Sequence, residues 1–142
     1  MVKIYTVISC SSCKKAKQWM ELHHLEYEEV NLLTDNISRA DYLQILSLTD
    51  NGTEEIISTR SRAYHRLQLD FEQLSLNELV EIFEKNRTLL RRPLILDNRR
   101  LQVGYNEDDI RKFLPREIRQ VELTVATDKI KENLDEHLSK VD

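Results

Sequence analysis

Hydrophobic and polar positions change rhythm several times along this chain, and each change marks an element. Val2 to Val7 is a β-prone apolar run, ended by Ser9-Cys10-Ser11-Ser12-Cys13. From Ser12 to His24 the period becomes helical. Cys13, Ala16, Trp19, Met20 and His23 fall on one face, and Lys14, Lys15, Lys17, Gln18 and Glu21 fill the others. Trp19, the only tryptophan, reads as a core residue. Leu25 to Leu32 returns to a strand pattern, with Tyr27 and Val30 as β-formers. Strand, helix and strand in this order make a βαβ unit with parallel strands.

Ser38 is placed to cap a further helix carrying Tyr42, Leu43, Ile45 and Leu46. Asp50-Asn51-Gly52 is a strong turn signal that ends it. Two short helices follow in the pattern, roughly 60–67 and 75–85, the second opening on Ser75 with Glu78 as a capping box. Pro93-Leu94-Ile95-Leu96 reads as a buried strand, turning through Asp97-Asn98-Arg99 into Leu101-Gln102-Val103 as a hairpin. Asn106 can cap a helix through Phe113 and Leu114, which Pro115 ends. Residues 116–142 show late helical periodicity at Ile130, Leu134 and Leu138 without a broad apolar face, which predicts a peripheral C-terminal helix.

Composition narrows the class. The 142 residues suit one domain, and 40% hydrophobic with 32% charged residues is a globular balance. No apolar run approaches a membrane span, and the start of the chain lacks a signal-peptide layout, so a cytoplasmic protein with no membrane partner is expected. Net charge is -4 but uneven. Residues 21–57 hold nine acidic residues against one arginine, and residues 87–119 hold nine basic against five acidic. That distribution fits either a solvated surface or faces that meet different partners.

The chemistry lies in the two cysteines, Cys10 and Cys13. Two cysteines three positions apart suggest redox chemistry or half of a zinc site. The four histidines supply no second ligand pair, so no metal and no cofactor is expected. On a strand-to-helix turn this spacing brings both sulfurs within bonding reach. Cys10 should stand at or just before the helix N-terminus, where unpaired N–H groups and the helix dipole favour a thiolate. It is the expected attacking thiol. Cys13, one turn in and more buried, is the expected resolving thiol. The bland alternative is a pair of inert buried cysteines.

Four stretches carry a resemblance: Tyr5 to Ala16 (YTVISCSSCKKA), Asn51 to Arg62 (NGTEEIISTRSR), Leu89 to Leu96 (LLRRPLIL) and Arg100 to Pro115 (RLQVGYNEDDIRKFLP). Together, and in this order, they resemble the Spx branch of the arsenate reductase and Spx family. The resemblance runs from Met1 to about Arg119. It implies an α/β fold, a thioredoxin-like core with a mixed four-stranded sheet (about 1–35 and 86–119) and a helical insertion in the middle of the chain (about 36–85). Such a core usually sets a cis-proline opposite the cysteine pair. Pro93 is the candidate, against a trans proline that merely opens an edge strand.

The same resemblance implies a redox-responsive regulator, not an enzyme, that binds the C-terminal domain of the RNA polymerase α subunit. It would activate thiol-stress genes, interfere with other activators, and be switched by a Cys10–Cys13 disulfide. The family's α-contact glycine matches Gly52, which could otherwise be a simple helix terminator. Arg60 and Arg92 match positions that support the redox centre or hold an anion, against plain surface charge. Arg62, with His65 and Arg66, could touch promoter DNA once polymerase holds the protein nearby. A ClpXP-type protease with an adaptor would control abundance, although the ending Ser139-Lys140-Val141-Asp142 is polar.

Two rival readings remain. One is a thiol-dependent arsenate reductase or glutaredoxin-like oxidoreductase, with Cys10 as nucleophile and Arg60 and Arg92 gripping the oxyanion. Val103 stands where a third reductase arginine would be expected. The other is a regulator whose abundance, not its cysteines, sets its output.

Overall fold

The protein is seen here as a computed structural model that describes residues 1–118 and Ile130. Four strands form one sheet in the order β2-β1-β3-β4. Strand β1 (Val2–Thr6) leads through helix α1 (Ser11–Leu22) to β2 (Tyr27–Asn31), which lies parallel to it with Val2 opposite Tyr27 and Thr6 opposite Asn31. β3 (Leu94–Leu96) runs antiparallel on the other side of β1, with Ile4 opposite Ile95. β4 (Leu101–Val103) closes the hairpin. Asp97 builds its turn by accepting from the N–H groups of Arg99 and Arg100, both at 2.8 Å. A parallel βαβ unit joined to an antiparallel hairpin is the thioredoxin-like arrangement, in a mixed sheet of four strands.

Between β2 and β3 the chain is helical: α2 (Arg39–Ser47), α3 (Arg62–Leu67) and α4 (Leu76–Lys85), with 3₁₀ turns at Thr53–Ile56, Phe71–Gln73 and Arg87–Leu89. Each α-helix starts on a serine. Ser38 makes a full capping box with Asp41. Ser61 accepts from the Tyr64 N–H and Ser75 from the Glu78 N–H. The Ser75–Glu78 pair departs from a reciprocal box. The Ser75 hydroxyl donates to the Glu78 carboxylate at 3.0 Å, so that carboxylate meets the side chain and not the cap backbone.

Side chains alternate across β1, so the sheet has two faces to cover. Tyr5, Leu94 and Leu96 share one face and join a cluster with Tyr42 and Ile45 of α2, Leu79, Val80 and Phe83 of α4, and Ile56. The inserted helices therefore share a core with the sheet. Ile4 and Ile95 lie on the opposite face, outside that cluster, as do the residues α1 buries: Cys13, Ala16, Trp19 and Met20.

The helix expected after Asn106 is a 3₁₀ turn, Asp109–Phe113. Asn106 does cap it, accepting from the N–H groups of Asp108 and Asp109. Two such short-range bonds tighten the backbone, and Pro115 follows before a regular helix can lengthen. The chain divides into two compact units, Met1–Ile110 and Arg111–Asp142. In the second, the Lys112 ammonium lies 5.7 Å from the Phe113 ring centroid, and residues 116–118 are helical. The rest of the expected C-terminal helix, apart from Ile130, lies outside the described residues.

Candidate functional site

β1 ends at Thr6, and Val7-Ile8-Ser9 carries the chain to α1. Ser9 has φ 66, a left-handed backbone that a non-glycine residue adopts rarely. The turn leaves Cys10 as the N-cap of α1, with its sulfur accepting the Cys13 N–H at 3.2 Å. Cys10 Sγ thus takes up one of the unpaired N–H groups at the N-terminal end of α1. A second tie fixes the start of this loop. The Glu29 carboxylate on β2 accepts from the buried Thr6 hydroxyl at 2.9 Å and from Lys17 of α1 at 3.1 Å.

Cys10 is half-buried, whereas Cys13 is 1% exposed, and both are free thiols. Burial pushes the Cys13 thiol up to about 12, and its hydrogen bond to the Cys10 sulfur adds to the shift. The Val7 backbone and the Arg92 charge pull the other way, each by less than either of these. Cys13 is thus a neutral thiol at pH 7, bonded to its neighbour. One accessible sulfur at a helix mouth and one protonated sulfur behind it is the arrangement that closes a disulfide.

The hairpin approaches from the other side. The Arg92–Pro93 peptide bond is cis and stands directly before β3. Arg92 is exposed and within electrostatic reach of Cys13. It also lines a cavity of about 560 Å³ with Arg60, Arg91, Glu54, Ser58 and Thr59. A short clamp builds that cavity. Ile57 and Leu90 form an isolated antiparallel bridge, Ser58 N–H donates to Leu89 O at 2.7 Å, and Arg91 N–H donates to Ile56 O at 2.8 Å. Arg60 and Arg92 therefore come together, although 32 positions of sequence separate them.

Gly52 opens the 3₁₀ turn that the clamp holds. Its φ of 91 and ψ of -170 belong to a region essentially restricted to glycine. α2 has already ended at its C-cap Leu48, so Gly52 is not that helix's terminator. It is exposed, and a Cβ built on it would meet nothing within 4 Å. The turn is braced by Glu55, which accepts from the N–H groups of Asp50 and Asn51 at 2.9 and 3.0 Å. Arg62 is the first residue of α3 and is exposed, as is His65. Arg66 is engaged with Asn86 at 2.6 Å.

The site thus gathers Cys10, Cys13, Arg92 and Pro93 at one end of the sheet, with Arg60 joined through the cavity and Gly52 through the clamp. Arg62 stands apart on α3. Arg91 was missed by the sequence reading, although its place beside Arg92 before a proline was a usable signal. Among the described residues no group of three or more His, Cys, Asp or Glu comes together to hold a metal. Nor is any described helix long and apolar enough to cross a membrane.

Comparisons with known proteins agree with this geometry. The sequence profile of the ArsC family matches residues 5–113. The chain is 55% identical over 126 residues to the global transcriptional regulator Spx of Lactiplantibacillus plantarum, covering 89% of this chain and 96% of that protein. It is 50% identical over 127 residues to the global transcriptional regulator Spx of Streptococcus mutans, covering 89% and 93%. Among solved structures, an arsenate reductase from Vibrio cholerae superposes with a TM-score of 0.69 at 20% identity, covering 80% and 97% of the two chains. An ArsC-related protein from Bacteroides fragilis gives 0.67 at 23%, covering 78% and 95%. These two show the fold alone.

Proposed function

The chain belongs to the ArsC family and is a transcriptional regulator of the Spx type, and from that premise we propose that it acts on the C-terminal domain of the RNA polymerase α subunit under control of a Cys10–Cys13 disulfide. Its high-identity relatives are named regulators, and its likeness to reductases is one of fold. The observation that carries the switch is the hydrogen bond from Cys13 N–H to Cys10 Sγ, with Cys13 buried behind it.

An oxidant converts the Cys10 thiolate to a sulfenic acid. Cys13 attacks that sulfur, the S–O bond breaks, and water leaves with the Cys13 proton. Closure removes charge from the helix mouth. Arg92 and Arg60 then seek other partners, and the Ile57–Leu90 clamp carries the change to the turn that begins at Gly52. A gain of about 1.4 kcal/mol in binding is tenfold in affinity, enough for regulation. Thiol-stress genes would be activated, and other activators that use the α domain would be excluded. Arg62 supplies an auxiliary, salt-sensitive contact to promoter DNA within the polymerase complex. The work is done in the cytoplasm, where a ClpXP-type protease with its adaptor limits abundance.

Capture of purified α C-terminal domain by reduced and oxidised protein tests the reading. Binding is expected, and Gly52→Arg should weaken it by at least about tenfold, an interfacial loss of more than about 1.4 kcal/mol. Gly52→Ala brings the same backbone strain with little bulk, so it should bind better than the arginine variant. Absence of capture in both redox states would defeat the proposal.

A further inference from the structure

One side chain at this end of the sheet is used by nothing described so far. Ile8, two residues before Cys10, is 82% exposed, the most exposed large hydrophobic side chain among the described residues. The left-handed Ser9 follows it, so the loop holds an isoleucine out into solvent beside the reactive sulfur. Exposed cations stand on the two segments that flank the cysteine turn. Lys14 is exposed one turn into α1, its N–H bonded to Cys10 O at 3.2 Å, and Lys15 is exposed next to it. Arg91 and Arg92 are exposed on the facing segment, because β3 runs antiparallel to β1 and both precede it. Among the described residues none of these four forms an ion pair within 4 Å, while Lys3 and Lys17 do. Glu54 lies in the arginine cavity, and Glu107 lines a hollow with Lys15.

We propose that Ile8, with exposed cations on the segments either side of the cysteine turn (Lys14 and Lys15 at the start of α1, Arg91 and Arg92 before β3), is the docking surface for an acidic protein dithiol that reduces the Cys10–Cys13 disulfide. The inference rests on the disulfide switch argued above and names what resets it. Burial decides which sulfur is attacked. With Cys13 enclosed, only Cys10 Sγ can be reached by an incoming thiolate. That thiolate bonds to Cys10 Sγ, the Cys10–Cys13 bond breaks, and Cys13 leaves with the electron pair and takes up a proton. The partner's second thiolate then attacks the partner's own sulfur in the mixed disulfide and releases Cys10. Two electrons pass to this protein, and the partner ends as a disulfide.

The leaving thiolate is a poor one, since burial raises the Cys13 thiol. A reductant held in place has the advantage over one that must collide. A phosphate backbone would satisfy the cations and offer nothing to an isoleucine. An acidic protein with an apolar residue beside its dithiol satisfies both.

The test uses the full chain, oxidised with mild peroxide, with the disulfide verified by mass spectrometry. If no disulfide forms, the switch itself fails, and that outcome is separate from the proposal. Given the disulfide, reduction is timed with purified thioredoxin kept reduced by its reductase, and in parallel with dithiothreitol. Ile8→Ser should slow the thioredoxin reaction at least about fivefold and leave the dithiothreitol rate unchanged, and Ile8→Leu should restore most of it. Lys14→Glu with Lys15→Glu should slow thioredoxin further and flatten its salt dependence. Equal rates for Ile8→Ser and the unaltered chain would overturn the proposal. So would equal slowing with both reductants, which would mark a local structural effect. Loss of α-domain capture by Ile8→Ser with normal reduction would give the surface to polymerase and overturn it as well.

Discussion

With Cys10 replaced by alanine, the remaining Cys13 should react with iodoacetamide at pH 7 at least about 100-fold more slowly than Cys10 does in a Cys13→Ala chain. The reason is ionisation. A thiol at about 12 is ionised roughly 10⁻⁵ of the time at pH 7, against a few per cent for an ordinary cysteine. Removing Cys10 takes away the hydrogen bond that contributes to the shift, but burial is the larger cause and remains. The sign gives a second check. Only the thiolate reacts, so the Cys13 rate should rise about tenfold per pH unit and keep rising above pH 9. Alkylation followed by intact-mass measurement reads both. Under peroxide, the unaltered chain should lose two hydrogens, whereas the Cys13→Ala chain should gain one oxygen. Comparable alkylation of the two single-cysteine chains would contradict the assignment of attacking and resolving sulfurs.

Phe83→Ala is expected to lower the stability of the whole Met1–Ile110 unit by about 3–5 kcal/mol, the usual cost of emptying a buried aromatic site. Phe83 is 1% exposed on α4, and its ring centroid lies 6.2 Å from that of Tyr42 on α2. Both belong to the cluster that includes Tyr5, Leu94 and Leu96 of the sheet. The inserted helices should therefore not melt first. Urea denaturation should show one transition when followed by circular dichroism and by Trp19 fluorescence, shifted to lower urea with its slope unchanged. The melting temperature should fall by roughly 10–15 °C. An early transition seen by circular dichroism, with Trp19 unaffected, would mean the insertion is an independent module.

Much of this was legible in the residues because local signals and global fold agree. The apolar run Val2 to Val7, the helical spacing of Cys13, Ala16, Trp19 and Met20, and the β-formers at Tyr27 and Val30 each specify the βαβ unit on their own. Ser38 and Ser75 mark two helix starts, and the structure uses both, adding Ser61 as the cap of a third. Asp97-Asn98-Arg99 signals the hairpin. What stayed hidden depends on tertiary contact. The bridge from Ile57 to Leu90 has no local signature, so the joining of Arg60 to Arg92 could be carried only by family resemblance. The sharing of one core between insertion and sheet is equally invisible, since Tyr42 and Phe83 meet only once folded. The short 3₁₀ turns lack a periodic pattern long enough to read. Ile8 escaped because a single apolar residue between a strand and a turn has no periodic pattern to mark it.

The clamp between Ile56 and Arg91 also means that influence cannot flow in one direction alone. One hydrogen bond links the turn that starts at Gly52 to the residue beside Arg92. Whatever factor oxidation adds to polymerase affinity, the polymerase must add to the tendency of the two sulfurs to stay joined. A tenfold preference would displace the midpoint of the couple by about 30 mV toward more negative potential. Molecules engaged at a promoter would then resist reduction longer than those free in solution, so the memory of an oxidative episode would be kept where it is being read.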